Sequence, residues 1–160
     1  SQISRCGFHA GMRKNEIIEA RVRWFNLDGE TGSIHIENTE SFRIKGDAKP
    51  RFIPLSERFR EFLRGYLAGK PADAWALKPE TQHGKGIYRY DFHAPYNYYL
   101  CEKKMRWVTA HVMRHTFASL LAQKGVSIYK VAGWLGDGVQ TTVDHYAHLA
   151  PQDRDLEKAM

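Results

Sequence analysis

The sequence has few cysteines and no long apolar segment, and both shortages narrow the kind of protein it encodes. Only two cysteines occur in 160 residues, Cys6 and Cys101, and they lie far apart and form no C-x-x-C pair. Such cysteines are expected to be reduced thiols rather than a disulfide framework. No apolar run approaches the roughly 20 residues of a membrane span, and no basic-then-apolar signal peptide is recognisable. We therefore expect a cytoplasmic protein without a membrane partner.

Length, composition and charge favour one basic globular domain. The 160 residues fit a single domain, and the hydrophobic and charged fractions, 42% and 26%, are typical of a folded protein. Lysine and arginine total 24 against 18 acidic residues, which gives a net charge of +6. This excess is compatible with a nucleic-acid partner, although many domains of this charge bind no polyanion. Because the chain begins at Ser1 in mid-pattern, we interpret it as a fragment of a longer protein.

The first third of the chain predicts a short helix and a small antiparallel sheet. Residues 11–20 begin a helix with Ile17 and Ile18 facing inward. Strand candidates follow at residues 33–37, 42–45 and 51–55, and the first of them alternates polar and apolar side chains as a half-buried strand does. Gly and Pro in residues 46–50 predict a turn between the last two strands.

The rest of the chain predicts helices. Ser56 occupies an N-cap position before apolar residues at helical spacing. Residues 69–88 are interpreted as a loop with a brief apolar piece, and residues 89–104 as a helix that contains a proline.

Three further helices are predicted towards the end. Thr109 caps a helix that runs to about residue 124, and Ser127 caps one that ends near Gly136. A third runs from about residue 139 past Tyr146, and residues 152–160 form a last helical piece. The expected fold is therefore α+β, mostly helical with a small antiparallel β-sheet.

Four short motifs occur in a fixed order along this pattern. They are residues 11–17 (GMRKNEI), residues 44–55 (IKGDAKPRFIPL), residues 111–114 (HVMR), and the pair 135–142 (LGDGVQTT) with 144–149 (DHYAHL). In this order they resemble the catalytic domain of the tyrosine recombinases, the phage integrase family. The resemblance spans about residues 7–150.

The resemblance implies a site-specific recombinase or integrase that cleaves and rejoins DNA through a covalent 3′-phosphotyrosyl intermediate. Tyr146 resembles the nucleophile. Arg13 and Arg114 resemble the pair that binds the scissile phosphate, and two guanidinium groups suit this task because each can bind phosphate oxygens bidentately. Charge stabilisation of this kind is usually the largest single contribution to catalysis.

Proton transfers in the family fall to a histidine and a lysine. His111 resembles the residue that hydrogen-bonds the phosphate and assists proton transfer. Lys45 resembles the general acid that protonates the departing 5′-oxygen, with Lys49 in the same turn as the alternative. The bond energy is retained in the phosphotyrosine, so the resemblance implies no metal and no cofactor.

One position departs from the family pattern. After Leu135 and Gly136 the family usually has His or Trp, and this chain has Asp137. We expect Asp137 to avoid the scissile phosphate, because two like charges repel in a dry site. It should instead cap the following helix or pair with a nearby cation, and so position Tyr146. A carboxylate between Arg13 and Arg114 without a backbone donor would indicate lost or restrained cleavage.

The resemblance also implies the organisation of the protein. Residues 1–160 would form a single catalytic domain of the DNA breaking-rejoining type, with the N-terminal DNA-binding domain absent. Double-stranded DNA would be the partner. The protein would act as a tetramer on DNA and be a monomer in isolation.

Two other functions compete with this interpretation. Residues 116–136 also resemble a helix-turn-helix, with Gly125 at the turn, which predicts a DNA-binding protein without chemistry. An integrase-like fold that has lost activity is the other alternative. The enzyme requires its site residues to converge on one basic concavity, whereas the helix-turn-helix requires an exposed polar face on residues 127–135.

The histidines also raise the question of a metal site. His111 and His115 are four residues apart, and His145 and His148 are three apart. The zinc-protease motif has Glu after its first His, whereas position 112 is Val. A metal site is therefore not expected, and His115 is interpreted as a hydrogen-bonded helix residue.

Overall fold

The computed structural model describes residues 2–45, 49–77, 102–105 and 107–151. For residues 2–4 it describes the backbone only. The helices and strands follow in this order: α1 (Gln2–Ala10), α2 (Lys14–Glu19), a 3-10 turn (Val22–Trp24), β1 (Phe25–Asn26), β2 (Ser33–Ile36), β3 (Arg51–Pro54), α3 (Glu57–Leu67), α4 (Ala110–Gln123), α5 (Ile128–Leu135), α6 (Val139–Tyr146) and a 3-10 turn (Ala147–Leu149). The prediction of a mostly helical α+β fold with a small antiparallel sheet is confirmed.

The sheet has three antiparallel strands in the order β1-β2-β3. Ile34 of β2 lies between Phe25 of β1 and Ile53 of β3, so the three side chains share one face. All three are buried, and Ile34 and Ile53 have no exposed surface. The alternation predicted for residues 33–37 is thus the alternation between the core and the surface.

The predicted strand at residues 42–45 is wrong. This segment is irregular, because a side chain and a tight loop satisfy its backbone instead of a neighbouring strand. The Ile44 N–H donates to Asn38 Oδ1 at 2.8 Å, and the Phe42 carbonyl accepts from Thr39 N–H at 2.9 Å. Phe42 and Ile44 are nevertheless buried, so the apolar alternation reflects core packing without strand pairing. Strand β1, which pairs with β2 in the sheet, was not predicted from the sequence.

Two apolar clusters fill the interior. The larger joins α1, α2, the sheet and α3, and contains Trp24, Ile17 and Leu63, each no more than 1% exposed. The smaller contains Val131, Leu135 and Tyr146 with two alanines of α4. Phe117 of α4 packs against both clusters. The cleft described below lies where helices from the two clusters meet.

The helix ends follow the sequence signals. Thr109 Oγ1 accepts from Val112 N–H at 3.2 Å at the start of α4, as predicted. Gly125 and Gly136, with φ of +74° and +66°, follow the ends of α4 and α5. Such left-handed residues are the usual helix stop.

Ser56 and Ser127 stand at N-cap positions, but neither side chain makes a capping bond. The helix predicted at 89–104 lies almost wholly outside the described residues, and the piece at 152–160 lies entirely outside them. In the described ranges, no helix combines the length and apolarity needed to cross a membrane.

Candidate active site

Residues from both ends of the chain border one cleft of about 1050 Å³. The start of α2, the segments on either side of residues 46–48, α4, the α5–α6 turn and α6 all contribute to it. All six residues predicted from the sequence border this cleft: Arg13, Lys45, His111, Arg114, Asp137 and Tyr146. The convergence that the enzyme interpretation requires is therefore present.

Arg114 is held rigidly beneath the cleft. Its side chain is 7% exposed. Nη1 donates to the Gly11 carbonyl at 2.6 Å, and Nη2 donates to the Leu135 carbonyl at 2.7 Å. Burial lowers the pKa of Arg114, and the neighbouring Asp137 carboxylate opposes this effect. Helix α4 thus presents a guanidinium whose position is fixed by backbone atoms on both sides.

Arg13 reaches the same point from the start of α2. Its Nη2 donates to the Gly136 carbonyl at 2.7 Å and to Asp137 Oδ1 at 2.8 Å. Glu16 fixes the residue from the other side, because it accepts from the Arg13 backbone N–H at 2.7 Å and from Nη1 at 3.3 Å. Arg13 and Arg114 therefore both contact the turn between α5 and α6.

Asp137 lies between these two arginines. Its Oδ1 accepts from Arg13 at 2.8 Å, and its Oδ2 accepts from Arg114 Nη2 at 2.7 Å. Of the two roles expected for Asp137, pairing with a cation is present and capping is not, because Gly138 is the N-cap residue of α6. No backbone donor to the Asp137 carboxylate occurs in the described part of the chain. The carboxylate thus pairs with both of the guanidinium groups that the sequence predicts to bind a phosphate.

The charge balance explains why this carboxylate stays ionised. Burial by itself would raise the pKa of Asp137, but Arg114 and then Arg13 lower it below its usual value. Glu16 also pairs with Arg51, whose Nη2 lies 2.8 Å from Glu16 Oε2. We call these five residues the arginine cluster: Arg13, Arg51, Arg114, Glu16 and Asp137. Its three cations and two carboxylates leave a net charge of +1.

Tyr146 ends α6 and points its hydroxyl at a histidine pair. The residue is 6% exposed. Its Oη forms a short hydrogen bond with His115 Nδ1, and His115 Nε2 lies 2.6 Å from His111 Nε2. Burial raises the pKa of Tyr146, Arg114 lowers it, and Asp137 raises it again. The phenol therefore stays protonated near neutral pH.

The sequence comparison bears on this arrangement. The model of the phage integrase family matches residues 6–153 of the chain. The chain belongs to the phage integrase family. Within it, the chain is 27% identical over 153 residues to the tyrosine recombinase XerA of Saccharolobus solfataricus, which covers 94% of this chain and 46% of that relative. It is 31% identical over 109 residues to a tyrosine recombinase of Pseudothermotoga lettingae, which covers 66% and 37% of the two chains.

Solved structures show the same integrase fold. The catalytic domain of bacteriophage HP1 integrase matches with a TM-score of 0.64 at 22% identity, over 98% of this chain and 77% of that one. The Tn1549 transposon integrase, in complex with transposon right end DNA, matches with a TM-score of 0.65 at 16% identity, over 98% and 55%. The chain spans about half or less of the length of the curated relatives it matches.

Two residues of the arginine cluster were not singled out from the sequence. Arg51 Nη2 donates to Glu16 Oε2 at 2.8 Å, and its Nε donates to the Trp134 carbonyl at 2.8 Å. Glu16 and Arg51 are 1% and 7% exposed. Glu16 was detectable, because it stands three residues after Arg13 at capping-box spacing. Arg51 carried no such signal, since a charged strand residue is ordinarily expected at the surface.

The two candidate lysines both border the cleft. Lys45 and Lys49 are exposed, on either side of residues 46–48. Both therefore remain candidates for the general acid.

The helix-turn-helix alternative explains less of this structure. Tyr129 and Lys130 on α5 are exposed, as that alternative requires. However, α5 and α6 also carry the turn that contacts Arg13 and Arg114, and a DNA-reading module gives no reason for this contact. The integrase family accounts for both observations.

Proposed function

We propose that this chain is the catalytic domain of a site-specific recombinase or integrase that cleaves and rejoins double-stranded DNA. On this proposal residues 1–160 form one domain, and the intermediate is a covalent 3′-phosphotyrosine. The observation that carries the proposal is the convergence of Arg13, Arg114, His111 and Tyr146 on one cleft. These residue types supply an anion clamp, a proton-transfer group and a nucleophile for one reaction.

The arginines supply the charge stabilisation. During attack at phosphorus, negative charge builds on the non-bridging oxygens. Arg114 is immobilised by two backbone carbonyls and Arg13 by Glu16, so both are oriented before the reaction begins. Preorganised donors of this kind contribute more than mobile ones, because no reorganisation is needed as the charge develops.

Bond making and bond breaking involve opposite sides of the phosphate. Tyr146 Oη attacks phosphorus and forms the phosphotyrosine, while the 5′-oxygen leaves and takes a proton from Lys45 or Lys49. His111 donates a hydrogen bond to the phosphate. Rejoining is the same sequence in reverse, with a 5′-hydroxyl as the attacking group.

Asp137 restrains this chemistry in the DNA-free protein. A phosphate must displace the carboxylate from the two arginines or share them with it. We interpret this as restraint rather than loss of activity, because the arginines, His111 and Tyr146 are all in place around the cleft. The proposal thus keeps the enzyme and treats Asp137 as a competitor for its own anion site.

DNA is the partner that the comparisons support, since the Tn1549 integrase was solved with transposon DNA. Assembly as a tetramer on two duplexes, a monomeric state in isolation and a cytoplasmic location are part of the proposal by family analogy.

Covalent capture tests the proposal. The full-length protein would be incubated with sheared, randomly nicked duplex DNA from its source organism, denatured, and recovered by an affinity tag. A nick lets the 5′-hydroxyl fragment diffuse away, which traps the covalent complex. Sequencing the attached 3′ ends would define the target. We expect attached DNA from the native protein and none from Tyr146→Phe.

The matched control is Tyr66→Phe, which removes a phenol oxygen from α3 outside the cleft and should leave the adduct intact. DNA retained without any covalent attachment would contradict the enzyme and favour the binding module. An adduct that persists in Tyr146→Phe would assign the nucleophile to another tyrosine.

A further inference from the structure

The hydroxyl of Tyr146 contacts His115, which the family motif does not assign to the reaction. His111 is the histidine of the H-x-x-R motif, yet the hydrogen bond from Tyr146 Oη runs to His115 Nδ1. His111 follows His115 in this chain of hydrogen bonds, because its Nε2 lies 2.6 Å from His115 Nε2. Both histidines face the cleft one turn apart on α4.

The hydrogen bonds fix the direction in which a proton can move. Tyr146 is protonated, so its O–H donates and His115 Nδ1 accepts. The proton of neutral His115 then lies on Nε2 and is donated to His111 Nε2. His111 in turn carries its own proton on Nδ1. This assignment satisfies both contacts at once, whereas the opposite tautomer of His115 would turn the phenol oxygen into an acceptor and leave its O–H without the acceptor that Nδ1 supplies.

The surroundings of His115 keep it able to accept a proton. Burial lowers its pKa, and His111, His145 and Arg114 lower it further, while Asp137 raises it. Among the described residues, these groups come from α4, the α5–α6 turn and α6. The imidazole is therefore neutral at pH 7, which is the form a general base requires.

We propose that His115 is the general base that takes the phenol proton of Tyr146 during DNA cleavage. The inference rests on the proposed function. As the Tyr146 Oη–phosphorus bond forms, the O–H proton moves to His115 Nδ1, and the phosphorus–5′-oxygen bond breaks with a proton supplied by the lysine. His115 Nε2–H can then pass its proton to His111 Nε2, while His111 keeps the proton on Nδ1, from which it can donate to the phosphate. In rejoining, His115 returns the proton to the departing phenolate.

A purely positional role for His115 is the competing explanation. Its ring lies 5.6 Å from the Tyr146 ring at 50°, so packing alone would also orient the phenol. Asparagine separates the two roles, because its Oδ1 stands where histidine has Nδ1. His115→Asn keeps an acceptor for the phenol but cannot carry the proton away.

The experiment measures single-turnover cleavage on a nicked duplex that carries the captured target, between pH 5.5 and 9.5. His115→Asn should be slower than the native protein by about a hundredfold or more at pH 7, the usual range for a general base. The gap should narrow with rising pH, because ionisation of the phenol replaces the missing base. Added imidazole should raise cleavage by His115→Ala in proportion to its concentration. DNA binding should change by less than about threefold in either variant.

The matched control is His9→Asn. His9 lies on α1 outside the cleft, and its pKa is also lowered, first by burial and then by Arg5 and Arg58. Its pH profile should equal that of the native protein.

Three results would overturn the proposal. These are near-native cleavage by His115→Asn, a loss that stays constant at every pH, or a loss that imidazole does not relieve. The proposed function fails separately, if the native protein itself forms no adduct.

A second measurement stays decisive where the variants do not fold. In protein with ¹⁵N-labelled histidine, NMR should show His115 with an unprotonated Nδ1. Tyr146→Phe should shift that resonance and change the pKa of His115. A His115 protonated on Nδ1 at pH 7 would contradict the relay.

Discussion

Replacing Asp137 with asparagine tests whether the chain's own carboxylate competes with DNA. Asp137→Asn keeps the shape of the side chain and removes its charge. The net charge of the arginine cluster then rises from +1 to +2, because three cations face one carboxylate instead of two. We expect DNA with the target site to bind more tightly and to be cleaved faster.

The magnitude follows from the geometry. A phosphate that shares Arg13 and Arg114 with Asp137 would lie about 5 Å from the carboxylate, a repulsion of about 3 kcal/mol at an effective dielectric constant of about 20. The Asp137 side chain is 29% exposed, so solvent screening reduces this value. A remaining effect of about 1.4–2.7 kcal/mol corresponds to roughly a tenfold to hundredfold gain.

The assay compares the dissociation constant and the single-turnover cleavage rate at fixed salt. Asp144→Asn is the matched control, since it removes an equal charge from the exposed face of α6. Among the described residues, the side chain of Asp144 hydrogen-bonds with Gln140. It should change DNA binding far less than Asp137→Asn. Weaker binding and slower cleavage by a folded Asp137→Asn protein would refute the reasoning. Asp137 would then be an organiser of the arginines rather than a competitor.

Three further predictions concern the same region. Arg114→Lys should cleave about a hundredfold slower or worse and also lower the thermal midpoint, because one ammonium cannot replace the bonds to Gly11, Leu135 and the phosphate; near-native cleavage would argue against the clamp. Gly136→Ala should lower the free energy of unfolding by about 1–2 kcal/mol, since its φ is +66° and a Cβ would meet Arg51 at 3.0 Å, whereas Gly65→Ala within α3 should not destabilise the protein in the same urea titration. Because the folded-state pKa of Asp137 lies below its ordinary value of 3.8, its stabilisation should be complete at pH 7 and be lost as the pH falls through the lower folded value. A stability difference from Asp137→Asn that stays constant as the pH falls below 3.8 would contradict the ion pairs.

The fold could be predicted where the spacing of apolar residues and the residues at helix ends indicate the same element. Ile17, Ile18 and the strand at 33–36 follow apolar periodicity, and Thr109 and Gly125 mark the ends of α4 by their own chemistry. The strand predicted at 42–45 failed because alternation reports which side chains are buried, not what the backbone pairs with. A side chain such as Asn38 can satisfy the backbone of an apolar segment as well as a neighbouring strand can.

The sequence located six residues of the cleft but neither their contacts nor Arg51. The six candidate residues could be located because their motifs are local, and each falls on the same cleft. The partners of Asp137 could not be predicted, because the sequence does not distinguish a carboxylate that caps α6 from one that pairs with Arg13 and Arg114. The two roles differ only in which parts of the fold lie next to the residue. The contact of His115 with Tyr146 was equally hidden, since 31 residues separate the two in sequence.

The anchoring of the arginines has a consequence for how the protein acquires activity. Arg114 bonds to Gly11 across 103 residues, and Arg13 bonds to Gly136 across 123. Contacts of such sequence separation form only after most of the chain has closed upon itself. On the proposed function, a nascent or partly unfolded chain carries Tyr146 on α6 without the arginine clamp. The reach of these bonds would then couple DNA cleavage to completed folding.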